Sequence, residues 1–138
     1  MTRTPPVSQS SKDETTAFGR SLHVDLYGVA ARLCDDLTFC YTLLDELTAW
    51  LGMHKQSPPF IFRSPDEQFP DKAGLSGWVP LIESGISIHT LTPKQFVTID
   101  IYTCGNLDPE TAIRFLADRL QPTHYESNYL VRGITYYA

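Results

Sequence analysis

The sequence predicts an α+β domain, a two-layer sandwich in which a mostly antiparallel sheet carries helices on one face. Three observations predict it. Several short segments alternate apolar and polar residues with the period of a half-buried strand. Two longer segments repeat apolar residues at three and four. The strand-like segments in the middle of the chain are joined too tightly for crossover helices, so they pair antiparallel.

Residues 1–17 are polar, rich in Ser, Thr and Pro, and without periodicity; they predict a disordered tail, followed by a single domain over 18–138. In Ser21–Tyr27 the residues Leu22, Val24 and Leu26 alternate with His23, Asp25 and Tyr27, a strand with one buried face. Leu37, Cys40, Leu43, Leu44, Leu47, Trp50 and Leu51 mark an amphipathic helix, with Gly52 where its C-terminal cap belongs. Pro58–Arg63 is a short strand, and 64–75, with its prolines and glycine, a loop.

Ser76–Glu83 and Gly85–Thr90 read as strands around a short polar break. Phe96–Tyr102 alternates cleanly. Asp108-Pro109-Glu110 opens a second helix with Ile113, Leu116 and Leu120 on its apolar stripe. Residues 123–136, rich in Tyr, Val, Ile and Thr, predict one or two further strands, with Gly133 as a bulge or bend between them. The order is therefore β-α-β-β-β-β-α-β.

A length of 138 residues fits one domain with a sizeable core, and 42% apolar with 20% charged residues fits a soluble globular protein. A net charge of −5 with scattered Lys and Arg disfavours nucleic acid as a partner. No run approaches the roughly eighteen apolar residues of a membrane span. The N-terminus lacks the apolar stretch of a secretory signal, so a cytoplasmic location is expected. Cys34, Cys40 and Cys104 show no metal-ligand spacing, and no metal is expected; the first two fit the core.

The polar break Glu83-Ser84-Gly85 invites a plain reading as a turn. Ser76, Ser84, His89 and Cys104 are each unremarked alone: a surface hydroxyl, a strand-end imidazole, a core thiol. Together, SGWVPLIES, SIHT and DIYTCG, with intervals of five from Ser84 to His89 and fifteen from His89 to Cys104, resemble the bacterial and archaeal S-adenosylmethionine decarboxylase proenzymes. The resemblance runs from about Gly19 to Leu120.

The resemblance implies a self-processing enzyme of polyamine and spermidine biosynthesis, cut between Glu83 and Ser84. Ser84 would attack the Glu83 carbonyl and become a pyruvoyl cofactor, with Ser76 as oxyanion donor and His89 as the base. Gly85 would give the turn its freedom. The pyruvoyl carbonyl would form a Schiff base with a small-molecule amine substrate, and Cys104 would return a proton to carbon as CO2 leaves. A homodimer is implied as well.

The sequence also departs from the family pattern. Gly85 replaces a usual His, and Leu91, Thr92 and Pro93 replace a usual Trp-Pro-Glu whose aromatic and carboxylate help hold the adenosine. Phe69 is a second substrate-binding candidate beside Leu91, one position out of register. S-adenosylmethionine is the expected substrate, with L-ornithine or L-arginine as the alternative and an unprocessed binding homologue as a further reading.

Overall fold

A computed structural model describes residues 2–3, as backbone, and 14–138. In chain order its elements are strands β1 (Thr2–Arg3) and β2 (Gly19–Tyr27), helices α1 (Ala31–Cys34) and α2 (Leu37–Trp50), strands β3 (Phe60–Arg63), β4 (Leu75–Leu81), β5 (Ser84–Leu91) and β6 (Phe96–Thr103), helix α3 (Pro109–Leu120) and strand β7 (His124–Arg132). They build a seven-stranded sheet in the order β1-β7-β2-β6-β5-β4-β3. All pairings are antiparallel except the short parallel contact of β1 with β7.

The strand period decides which face is which. Leu22, Val24 and Leu26 of β2, Ile86 and Ile88 of β5, and Val97, Ile99 and Ile101 of β6 are almost fully buried. They pack with Leu43, Leu44 and Leu47 of α2 and Ile113, Leu116 and Leu120 of α3 in one core. Truncating one of these, Leu44→Ala for instance, removes about 2–5 kcal/mol. Asp36 caps α2 by accepting from Phe39 N, and Asp108 caps α3 by accepting from Glu110 N and Thr111 Oγ1. Gly52 takes φ +68° just past α2, the conformation that ends a helix most readily at glycine.

The helix-free face is set by register. One cross-sheet row runs Phe62, Ser76, His89, Thr98, Asp25; the next runs Phe60, Trp78, Ser87, Asp100, His23; a third runs Pro80, Gly85, Tyr102, Ser21. Among the described residues no helix is long and apolar enough to cross a membrane.

Three expectations need correction, and one is narrowed. Most of the predicted tail lies outside the described residues, but Thr2–Arg3 pair with β7, Glu14–Thr16 form a 3-10 turn and Ala17 is buried, so ordered structure begins before Phe18. Of the one or two strands expected in 123–136, one forms, β7. Gly133 (φ +60°) ends it, its carbonyl accepts from Phe18 N at 2.9 Å, and Tyr136 packs on the Phe18 ring. The polar break is also shifted: Ile82 and Glu83 form the hairpin tip, and Ser84 and Gly85 already belong to β5. Finally, Cys34 and Cys40, expected in one amphipathic helical pattern, lie in two helices, Cys34 in the short α1 and Cys40 in α2. Both Cys34 and Cys40 are buried as expected, and burial raises both thiols, Cys40 to about 12.

Candidate active site

Leu81 and Ser84 pair across a hairpin whose only loop residues are Ile82 and Glu83. Two-residue hairpins follow strand twist best with positive φ at the loop positions. Neither Ile82 nor Glu83 takes it; the positive φ, +147°, falls on Ser84 instead. A non-glycine residue held there stores roughly 1–3 kcal/mol of strain. The strain therefore sits on the residue that follows the Glu83–Ser84 peptide bond. Gly85 carries no such φ, contrary to its expected role as the flexible residue. It is small for another reason: a Cβ at residue 85 would lie 2.6 Å from Trp78 Nε1.

The Glu83 carbonyl accepts a hydrogen bond from Cys104 N at 2.9 Å. The Cys104–Gly105 bend that supplies this donor is itself held. Gly105 N donates to Thr103 Oγ1 at 2.9 Å, and the Arg20 guanidinium donates to the Gly105 carbonyl. Cys104 is exposed, unlike the other two cysteines, which frees its thiol for chemistry. The Glu83 carboxylate points to a residue the sequence reading missed. His54 N donates to Glu83 Oε1 at 3.0 Å and His54 Nδ1 lies 2.6 Å from Oε2. The hydrogen bond to the His54 ring, then that from its backbone, lowers the Glu83 carboxyl below its ordinary value. His54 lies 29 residues before Glu83 in the chain, so no local motif could have flagged it.

Ser76 and His89 face each other across β4 and β5, with Ser76 Oγ and His89 Nδ1 2.9 Å apart. With Nδ1 donating to the hydroxyl oxygen, Nε2 is left to accept a proton and the Ser76 O–H is left to donate. This pair is not brought to Ser84. Five residues of extended strand separate Ser84 from His89, a span of about 17 Å. Phe69 and Leu91 lie at the His89 end too. Phe69 precedes the 3-10 turn Pro70–Lys72, which packs on the turn Thr92–Lys94 that follows Leu91.

Beside Ser84 the helix-free face forms a cavity of about 350 Å3, lined by Trp78, Ser84, Gly85, Ser87, Asp100 and Tyr102. Two aromatic rings, a carboxylate and a hydroxyl thus surround Ser84. Among the described residues no group of three or more His, Cys, Asp or Glu is placed to hold a metal ion.

Comparisons with known proteins identify the family. Residues 20–133 match the family described as S-adenosylmethionine decarboxylase. The S-adenosylmethionine decarboxylase proenzyme 2 of Bacillus cereus (strain ZK / E33L) is 35% identical over 122 residues, covering 88% of this chain and 94% of that protein. An arginine decarboxylase proenzyme of Pyrobaculum arsenaticum is 31% identical over 122 residues, covering 87% and 88%. The crystal structure of the adenosylmethionine decarboxylase from Aquifex aeolicus superposes with a TM-score of 0.74 at 28% identity, over 86% of this chain and 93% of that one.

Proposed function

Because the chain belongs to the S-adenosylmethionine decarboxylase family, we propose that it cuts itself between Glu83 and Ser84 and then decarboxylates S-adenosylmethionine. The observation that carries this reading is the pairing of a strained Ser84 with a Glu83 carbonyl already hydrogen-bonded to Cys104 N. A backbone N–H on that oxygen stabilises the negative charge that grows there when a nucleophile adds.

Ser84 Oγ adds to the Glu83 carbonyl carbon. The Glu83–Ser84 C–N bond breaks, the nitrogen takes up the hydroxyl proton, and an ester replaces the amide. A base then removes the Ser84 Cα proton, the Cβ–O bond breaks, and Glu83 leaves as a carboxylate. Water replaces the nitrogen of residue 84, which departs as ammonia, and a pyruvoyl group remains at the start of the chain 84–138. Residue 84 opens onto the cavity beside the side-chain-free Gly85, which leaves room for such a group. When formed, the group supplies a carbonyl that withdraws electrons from a substrate amine.

His89 of the same chain is too distant to be the base, so the base is assigned to a second copy. In a face-to-face homodimer, a two-fold axis passing between Ser84 and His89 brings each Ser84 to the Ser76–His89 pair of the other subunit. The exposed Phe60, Phe62 and Trp78 on this face, 46%, 67% and 49% accessible, support such a contact. Cys104, at the Ser84 end, is assigned the return of a proton to the substrate carbon, and Phe69 and Leu91 are carried to the site only through the second copy.

Trp78 and Tyr102 give the cavity aromatic walls although residue 91 is Leu, which favours a nucleoside-bearing substrate. The Asp100 carboxylate in the same cavity favours a second reading, a cationic amino acid such as arginine or ornithine. A denaturing gel with mass spectrometry tests the first step: the unmutated protein yields chains 1–83 and 84–138, and Ser84→Ala yields one chain. Release of CO2 from S-adenosylmethionine, arginine and ornithine, assayed side by side, decides the substrate. A single intact chain from the unmutated protein overturns the reading.

A further inference from the structure

We propose that His54 is a positioning residue for the self-cleavage, holding the Glu83 side of the scissile bond while the Cys104 N–H holds its carbonyl. The inference rests on the self-processing reading above and adds a residue to it.

Three hydrogen bonds join His54 to the two hairpin-tip residues. Its carbonyl accepts from Ile82 N at 2.8 Å, its N–H donates to Glu83 Oε1 at 3.0 Å, and its ring Nδ1 meets Glu83 Oε2 at 2.6 Å. The neighbours extend the grip along the hairpin. Lys55 forms a bridge to Leu81, and Gln56 N donates to the Pro80 carbonyl at 2.9 Å.

The support is rigid in turn. Met53 is buried and its N–H donates to Thr48 O of α2 at 3.0 Å, while the Lys55 ammonium pairs with Asp45 of the same helix. The tip of the hairpin is thereby tied to α2 on one side and to the Cys104 bend on the other. Glu83 has little freedom to rotate, and Ser84 keeps the positive φ that the loop residues do not take.

The His54 ring itself is largely exposed, 74% at the side chain, and joins no core. This separates it from a residue retained for packing. It touches neither Ser84 nor the Glu83 carbonyl carbon, so it acts through Glu83 and is not a catalytic residue. After cleavage the same contacts would hold Glu83 as the new chain end, keeping it at the rim of the cavity.

The test follows conversion of freshly translated proenzyme to chains 1–83 and 84–138 on a denaturing gel, for the unmutated chain, His54→Ala and His54→Asn. A hydrogen bond to a charged group contributes about 1.5–3 kcal/mol, so His54→Ala slows conversion by about tenfold or more. His54→Asn, whose amide nitrogen can take the place of Nδ1, restores most of the rate. Thermal unfolding in the uncleaved Ser84→Ala background separates positioning from folding, and the His54→Ala midpoint there stays close to its parent. Conversion of His54→Ala at the unmutated rate overturns the inference alone. So does a slow His54→Ala that Asn does not rescue and whose unfolding midpoint falls. An unmutated chain that never converts overturns the inference together with the self-processing reading.

Discussion

Trp78 and Gly85 are coupled across the β4–β5 pair, and the coupling is measurable. A methyl group at residue 85 would lie 2.6 Å from Trp78 Nε1 and 3.4 Å from the Val79 carbonyl oxygen. The indole has to give way, and with 49% of the residue exposed it has room to swing. Gly85→Ala is therefore expected near the low end of the overpacking range, about 1 kcal/mol. Once the indole is gone the clash is gone, and Ala in place of Gly within a strand is neutral or stabilising by about 0.4–1 kcal/mol. A double-mutant cycle of Gly85→Ala with Trp78→Ala thus gives an interaction of about 1–2 kcal/mol, or several degrees in the unfolding midpoint. The assay is thermal unfolding in the uncleaved Ser84→Ala background at one fixed protein concentration, since association shifts the midpoint. In processed enzyme, Trp78→Ala should raise KM for S-adenosylmethionine about 5- to 150-fold if the indole stacks on the base at about 1–3 kcal/mol. Additivity of the two substitutions within about 0.5 kcal/mol refutes the coupling. An unchanged KM refutes Trp78 as the aromatic wall.

Two further outcomes are expected. Co-expression of a His89→Ala chain with a Ser84→Ala chain restores cleavage of the His89→Ala chain, because each mixed dimer still pairs an intact Ser84 with an intact His89 of the other copy; no cleavage in the mixture removes the trans assignment. Iodoacetamide labels Cys104 in the native protein while Cys34 and Cys40, both buried, stay unlabelled by mass mapping; Cys104→Ala still self-cleaves but turns over slowly, and unchanged turnover removes the thiol from the proton return.

The parts legible in the sequence are those with a local signature. Period-two alternation gave β2 and β6 nearly to their ends, and the Asp108-Pro109-Glu110 start located α3. The Ser76, Ser84, His89 and Cys104 spacing pointed to a candidate site through the family resemblance, and strand pairing makes some of these residues neighbours: Ser76 opposite His89, and Ser84 opposite Thr103 beside Cys104. What escaped depends on contacts between distant segments. The separation of Ser84 from His89 was implicit in the strand expected over Gly85–Thr90, yet the resemblance assigned both residues to one site, and only a second copy reconciles the two. The need for glycine at 85 arises from an indole on the neighbouring strand, not from the backbone at 85. Whether 123–136 held one strand or two stayed open because β-propensity continues through Ile134, Tyr136 and Tyr137, whereas the left-handed Gly133 and its bond to Phe18 N turn the chain away.

The sheet order has a consequence for the proposed cleavage. A break after Glu83 assigns β1, β2, β3 and β4 to one product and β5, β6 and β7 to the other. Across the sheet β1-β7-β2-β6-β5-β4-β3 the two products alternate at most positions, and β2 is enclosed between two strands of the other chain. The nick therefore does not release either piece, since each is the other's hydrogen-bonding template. It would remove the shortest strand-to-strand connection among the described residues, the two-residue link that made β4–β5 pairing a local event. Refolding from the denatured state then becomes an encounter between two chains rather than the closing of a hairpin, and its rate depends on concentration. Maturation would be a one-way passage: the chain folds once while whole, and the lifetime of the mature protein is governed afterwards by how slowly it unfolds.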